Sequence, residues 1–418
     1  MPPAGPCVAD LPFLTADIPA VPAAIKRDYT DFVVEEIPAY EPCGRGDHVY
    51  FTIEKTGLAT LQAVRDIARA LGVAREIGLA GLKDARAVAR QSLSLEHADP
   101  DRIRKLDLPR IRVLAVSRHT NKLKIGHLRG NRFDLALRDV DAARAADVRA
   151  VLDVLARRGV PNYFGAQRFG SRGDSGQIGL ALVRGDDAAV LQLMCGTPGP
   201  HDTGPVLRAR QLFERGDFAA AAEAWPYMFR DNVRVCRALA QRGDNLRAAV
   251  RAIDFSLRKF FISALQSELF NAVLARRIAT LDRLCDGDLA CKHDTGAVFR
   301  VESAAAEQPR AERFEVSATG PILGHRMSTP TGVPAEIEAE ACAAAALALP
   351  DFDRLGPLRP PGSRRPLRFQ PHEVSVETQH DERGPLLRLK FALPAGCYAT
   401  VLLREVCKRE LAEGREEE

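Results

Sequence analysis

Lys83 and Asp84 stand side by side in GLAGLKDARAVARQ, residues 78–91, two positions after Gly81. A glycine there lets the backbone turn tightly or lets another molecule come close. The aspartate that follows could serve as a nucleophile or general base. It could equally be a solvated turn residue, with Lys83 an ordinary surface amine. Lys26, in IKRDYTDF, raises the same choice. Three further stretches carry more chemistry than folding demands. VPNYFGAQRFG (160–170) crowds Asn162, Tyr163, Phe164, Gln167, Arg168 and Phe169 around two glycines. Such a mixture stacks on bases and hydrogen-bonds their edges, although an aromatic-anchored junction between elements would look similar. KIGHLRGNRF (124–133) offers backbone N–H groups and cations to phosphate, or is a polar β-turn. LPAGCYATVLLREV (393–406) sets Tyr398, with an exposed pattern, just ahead of a helix.

Charge gives the first hint of a partner. The chain has 418 residues and a formal net charge of only +4. Between Asp101 and Arg132, however, ten Lys or Arg face two acids, about +8, while the C-terminus closes on Glu416, Glu417 and Glu418. A local basic segment fits a polyanion, and also fits a solvated sheet face. The nine cysteines are scattered without a CxxC, as in a reduced cytosolic enzyme. The histidines form no HExxH, so no metal site is expected. MPPAGPCVADLPFLTADIPAVPAA lacks the layout of a signal peptide, and no apolar run reaches membrane-spanning length. A cytoplasmic protein is expected.

These residues need a framework to bring them together. A chain of this length predicts two or three domains. Alternation predicts strands in DFVVEEI (31–37) and HVYFTIEK (48–55), the latter with Val49, Phe51 and Ile53 on one face. Thr60 is expected to cap a helix to Leu71, its apolar stripe being Leu61, Val64, Ile67, Ala68 and Leu71, with Gly72 as the stop. SLSLE (92–96), IRVLAV (111–116) and RFDLALR (132–138) read as strands, and 141–159 as a helix. An α+β domain with a mainly antiparallel sheet is therefore expected over 25–160. Ala-rich helical periodicity follows, ending in LRKFFISALQSELFNAVLARRI (257–278), where Phe261, Leu265 and Leu269 form a buried stripe. RLGPLRPPGSRRP (354–366) reads as a linker, after which LLRLKFAL (386–393) resumes strand alternation. The chain is thus expected to leave a sheet domain, build a helical one and return.

Taken together, GLKD-x-x-A with Gln91, NYFG-x-QRFG, GHLRGNRF and LPAG-x-Y-AT-x-x-LRE resemble the signature blocks of the TruD-type tRNA pseudouridine synthases. TGPILG (319–324) and DFVVEEIPAYEPCGRGDHVYF (31–51) are similar to two more blocks, and the order is the family's. The resemblance implies a V-shaped α+β protein. Its parts would be an irregular leader (1–24), a catalytic domain (25–165 and 366–418) and a mostly helical insertion (166–365). It implies Asp84 as the catalytic aspartate, Lys26 as its basic partner and Phe32 as an aromatic near the site. Asn162 and Phe164 match the residues that contact the target nucleotide, and Tyr398 stands where many relatives have phenylalanine. Lys122, Lys124, Arg129 and Arg132 would hold RNA phosphates. Ala89, in place of a usual threonine, and GSRGDSGQIG depart from the pattern, and 170–360 is longer than in compact bacterial relatives.

The implied reaction isomerises a tRNA uridine, uridine 13 of the D arm, and needs no cofactor because no atom or electron is gained or lost. A monomer is expected, with no membrane or nucleotide cofactor as partner. The base must leave its stack, at a few kcal/mol, and an aromatic platform returns about 1–3 kcal/mol; Phe164, Tyr398 and Phe32 are the candidates. The aspartate is expected to lie buried beside a buried Lys26. The rival readings are the same chemistry on a broader set of RNAs, and an RNA-binding protein without catalysis.

Overall fold

The computed structural model describes residues 10–74, 76–200, 202–243 and 245–409. Residues 1–9 of the expected leader, Cys7 among them, lie outside the described residues. The chain divides into two compact units. One comprises Phe13–Asn162 and the return segment from Arg368; the other comprises Tyr163–Leu367, joined by residues 10–12.

The first unit begins with β1 (Phe32–Pro38), β2 (His48–Thr56) and α1 (Thr60–Leu71). It continues through β3 (Gly78–Leu79), β4 (Val88–Glu96), α2 (Pro100–Arg104), β5 (Ile111–His119), β6 (Leu128–Arg138), α3 (Ala145–Arg158) and β7 (Val160–Pro161). The second unit holds α4 (Ser175–Arg184), α5 (Asp187–Cys195), α6 (Gly204–Glu214), α7 (Phe218–Ala224), α8 (Arg230–Arg242), α9 (Leu246–Ala252) and α10 (Phe255–Arg277). After these come β8 (Leu289–Lys292), β9 (Val298–Arg300), α11 (Ala304–Glu312), β10 (Val316–Ile322), α12 (Val333–Ala344) and β11 (Ser363–Pro366). The chain returns as β12 (Arg368–Phe369), β13 (His372–Asp381), β14 (Gly384–Pro394) and α13 (Ala399–Cys407).

The first unit is built on one sheet, ordered β13-β14-β6-β1-β4-β2-β5 with β3 also paired to β4. Every pairing in it is antiparallel except β1 with β4, as expected of an α+β fold. Val49, Phe51 and Ile53 bury one face of β2 against α1, completing a core with Ile67, Leu71, Leu93 and Leu95. The expected helix stripe is corrected in phase. Thr60, Ala63, Ile67 and Leu71 are the buried residues of α1, while Leu61 is 52% exposed. Thr60 is the first helical residue rather than the cap, because its hydroxyl is taken by a tertiary contact described below. Gly130 lets β6 meet β14, since a Cβ there would sit 2.1 Å from the Leu393 carbonyl oxygen. The segment from residue 13 to 24 is irregular but anchored: the amides of Leu14 and Thr15 donate to the Glu405 carboxylate at 3.1 Å each.

The second unit packs its helices around α10, whose Phe261, Leu265 and Leu269 are buried as their spacing predicts. Gly179 of α4 gives the close approach, a Cβ there falling 2.1 Å from the Phe261 carbonyl oxygen. A four-stranded sheet, ordered β11-β10-β8-β9, accompanies the helices. The stretch read as a linker is instead part of this unit. Leu349–Leu358 is largely 3-10 helix, and β11 pairs with β10 while Arg364 donates to Glu338 Oε1 at 2.6 Å. Its prolines and glycines shape turns in a packed edge, so composition alone misassigned it.

Candidate active site

Asp84 lies in the loop between β3 and β4, and that loop is held from below by buried polar groups. Lys55, on β2, is fully buried. Its ammonium donates to the carbonyls of Leu58 at 2.5 Å, Asp84 at 2.8 Å and Lys83 at 3.5 Å. All three N–H bonds of a protonated lysine are thus spent on backbone of the loop and its neighbour. Burial pulls the Lys55 pKa down to about 8, against a favourable contribution from Asp84. The Thr60 hydroxyl accepts the Lys83 N–H and donates to Gln91 Oε1, both at 2.9 Å.

Lys83 corrects the expectation of a surface amine. Its side chain is 4% exposed and its Nζ lies 2.8 Å from Glu36 Oε2, on a carboxylate only 2% exposed. The other Glu36 oxygen accepts the Ser92 N–H at 3.2 Å, so one carboxylate ties β1 to the loop and to β4. Period-two alternation in β1 puts Phe32, Val34 and Glu36 on the buried side, which is why an acid points inward there.

The reactive side of the loop is arranged differently. Lys26 Nζ donates to Asp84 Oδ2 at 2.9 Å. The lysine is buried, but the Asp84 side chain is 44% exposed, so the expected buried carboxylate is corrected: only its partner is sunk. Lys26 adopts φ 55°, the left-handed region that costs a non-glycine residue free energy and is concentrated at functional sites. Its ammonium sits 4.2 Å from the centroid of the Phe32 ring. Phe32 is itself buried and edge-packed on Phe133, so it supports the ammonium and offers no open face to a base.

Lys26, Phe32 and Asp84 are therefore brought together. Asn162 belongs to the same unit and is buried just after β7, and Tyr398 is 44% exposed at the start of α13. Phe164 belongs to the other unit. Its backbone N–H donates to Asn271 Oδ1 at 2.8 Å and its carbonyl accepts from Asn271 Nδ2 at 2.9 Å. Phe270 meets its ring edge-on, and the Arg365 guanidinium lies 4.4 Å from the ring centroid. Of the expected phosphate contacts, Lys122 pairs with Glu76 at 2.7 Å and Arg132 with Glu373 at 2.8 Å. Lys124 is exposed, and Arg129 is exposed with its guanidinium on the Ala39 carbonyl at 3.3 Å. A cavity of about 470 Å³ opens on the same sheet, with Glu36, Tyr40, Tyr50, Arg90 and His127 among its lining, but neither Asp84 nor Lys26 lines it.

Lys55 and Glu36 escaped the sequence reading; for Lys55 the signal was an inward-pointing lysine in a strand of otherwise apolar inward residues. Among the described residues no group of three or more His, Cys, Asp or Glu could hold a metal ion, and no helix is long and apolar enough to cross a membrane.

A family model described as tRNA pseudouridine synthase D (TruD) matches residues 9–406. The chain belongs to this family, whose reaction isomerises uridine to pseudouridine. It is 44% identical to the tRNA pseudouridine synthase D of Geobacter sulfurreducens, over 96% of this chain and 97% of that one. It is 46% identical to the enzyme of the same name from Geobacter metallireducens, over 95% and 97% of the two chains. A crystal structure from Methanosarcina mazei bearing the TruD designation superposes with a TM-score of 0.85 at 27% identity, covering 96% of this chain and 97% of that one.

Proposed function

We propose that this chain isomerises uridine to pseudouridine in tRNA, at uridine 13 of the D arm, with Asp84 as the catalytic residue. The observation that carries the reading is the exposed Asp84 carboxylate on a buried Lys26, at 2.9 Å, on a loop with a rigid polar foundation. The reaction breaks the bond between N1 of uracil and C1′ of the ribose, turns the base, and joins C5 to C1′; the C5 proton is lost and N1 gains one. Asp84 either attacks C1′ and is displaced when C5 returns, or removes the C2′ proton and gives it back. Both routes need an accessible oxygen, and Oδ1 carries that task while Oδ2 rests on Lys26. Lys26, held over Phe32, keeps the carboxylate oriented and offsets its charge near phosphates.

The target base must be extruded to reach this carboxylate. The exposed Tyr398 is the stacking platform in this reading, and Asn162 reads the uracil edge or orients Asp84. Lys55 is a positioning residue: it touches no substrate but fixes the carbonyls of residues 83 and 84. Lys124 and Arg129 hold RNA phosphates. The deciding experiment incubates the full chain with an unmodified tRNA transcript and maps pseudouridine by carbodiimide treatment and primer extension. A single stop at uridine 13 with the wild type, and none with Asp84→Asn, is expected. Modification elsewhere with equal efficiency would shift the reading to a broader RNA range, and binding without modification would leave an RNA-binding protein.

A further inference from the structure

We infer that the unit Tyr163–Leu367 carries its own RNA-backbone site, an arginine groove formed by α8, α9 and the start of α10. This rests on the tRNA reading above and adds where the helical unit would grip the same substrate. Two hollows of about 510 and 720 Å³ adjoin each other and share Arg247 and Arg251 as walls. Arg242 completes the first; Arg258 and Arg354 join the second. Against these five cations the described residues of the lining supply one acid, Asp187. The arginines come from three helices and from the 3-10 segment at 349–358, so no single helix face explains the cluster.

Convergence separates this set from a scattered solvated surface, since five arginines from four segments line two adjoining hollows. Some exposed arginines elsewhere find acids, as Arg234 does with Asp231 at 3.0 Å and Arg313 with Glu315 at 2.7 Å. Among the described residues no carboxylate lies within ion-pair distance of Arg242, Arg247, Arg251 or Arg258. Of the five, only Arg354 has a carboxylate partner among the described residues, Asp351 at 3.6 Å. Unpaired guanidiniums repel one another, and a partner with repeated negative charge removes that penalty. Planar forks of N–H donors match phosphate oxygens two at a time. The rim adds Phe255, 41% exposed, with Lys259 Nζ 4.6 Å from its ring centroid and Arg258 at 5.8 Å. An aromatic set among cations stacks an unpaired base while the cations track its backbone.

The test compares full-length R242Q/R247Q/R251Q with a control, R208Q/R215Q/R283Q, that removes three exposed arginines lining neither hollow. Affinity for an unmodified tRNA transcript is measured by filter binding from about 50 to about 300 mM KCl. The groove variant should bind about tenfold or more weakly at low salt, and its slope of log Kd against log salt should fall by about two, for three lost phosphate contacts. Single-turnover conversion at saturating tRNA should be unchanged. If the two triple variants behave alike, the groove is an ordinary basic surface and the inference is overturned. A loss of tripolyphosphate binding with tRNA affinity intact would also overturn it, assigning the hollows to a small phosphate. R242K/R247K/R251K, which keeps the charge, should keep the salt slope, and its failure to do so while folded would count against phosphate contacts. Because binding is read directly, a wild type that binds tRNA but makes no pseudouridine would sink the proposed activity and leave this inference to its own data.

Discussion

Residues 83 and 84 are neighbours in sequence, yet they anchor two different kinds of ion pair. Lys83 and Glu36 are both buried, and their hydrogen bonds go to protein. Asp84 is half-exposed on a buried Lys26, with one oxygen engaged. The first pair fixes a backbone; the second presents a group to whatever enters. The difference teaches that a reactive carboxylate need not be sunk to be held rigidly, provided its loop rests on buried donors whose alternatives are costly.

Substitutions at six positions break or sharpen this contrast. Asp84→Asn should have the largest effect, lowering single-turnover pseudouridine formation by roughly a thousandfold or more, the scale of a positioned acid–base or covalent group. tRNA affinity should stay within about threefold of wild type, since the change spares the cations that bind phosphate. Glu36→Gln should act on stability instead, because it strands the Lys83 ammonium in the interior. A loss of about 3–5 kcal/mol in urea unfolding is expected, and Glu36→Gln/Lys83→Met should recover much of it. If Glu36→Gln unfolds no more easily than Asp84→Asn, the two pairs are not different in kind.

Lys55→Met tests the foundation through pH. The Lys55 pKa is depressed from 10.5 to about 8 in the folded chain. Between those values the unfolded chain binds a proton that the folded chain has released, so wild-type stability rises with pH across this window. The rise, up to about 3 kcal/mol, should be missing from Lys55→Met when urea unfolding is compared at pH 7.5 and 10. Wild-type kcat should also fall above about pH 8, as one of the three N–H bonds to the loop is lost. A pH profile unchanged by Lys55→Met would reduce this lysine to filler. The smallest effect concerns the basic stretch. Lys124→Gln should weaken tRNA binding about threefold and lower the salt slope by about one, whereas Lys122→Gln, already matched by Glu76, should change affinity by less than about twofold.

That last pairing explains why net charge read along the chain misleads. The segment 101–132 looks strongly basic, but Arg112, Lys122 and Arg132 meet Glu54, Glu76 and Glu373, two of them from strands that the fold brings alongside and one from the loop before β3. The groove arginines at 242, 247, 251, 258 and 354 look unremarkable in sequence and converge only when their helices pack. Similarly, RLGPLRPPGSRRP carries every mark of a linker and is an ordered sheet edge, because Arg364 is taken up by Glu338 and Thr319. Thr60 reads as a cap and is diverted to Lys83 and Gln91, while the stripe of α1 turns to follow it.

Local periodicity and rare multi-residue blocks were enough, without any coordinates, to indicate the strands of the main sheet, the long buried helix α10, the excursion into a helical unit and the family. Those features depend on side-chain patterns within about ten residues of each other, which a linear reading contains. Burial of Lys55, Lys83 and Glu36, the cation beneath Asp84 and the gathering of distant arginines depend on which strands and helices become neighbours. A lone lysine in a strand has no stated dielectric or partner until the chain closes around it, so only the tertiary structure decided whether it was surface, support or site.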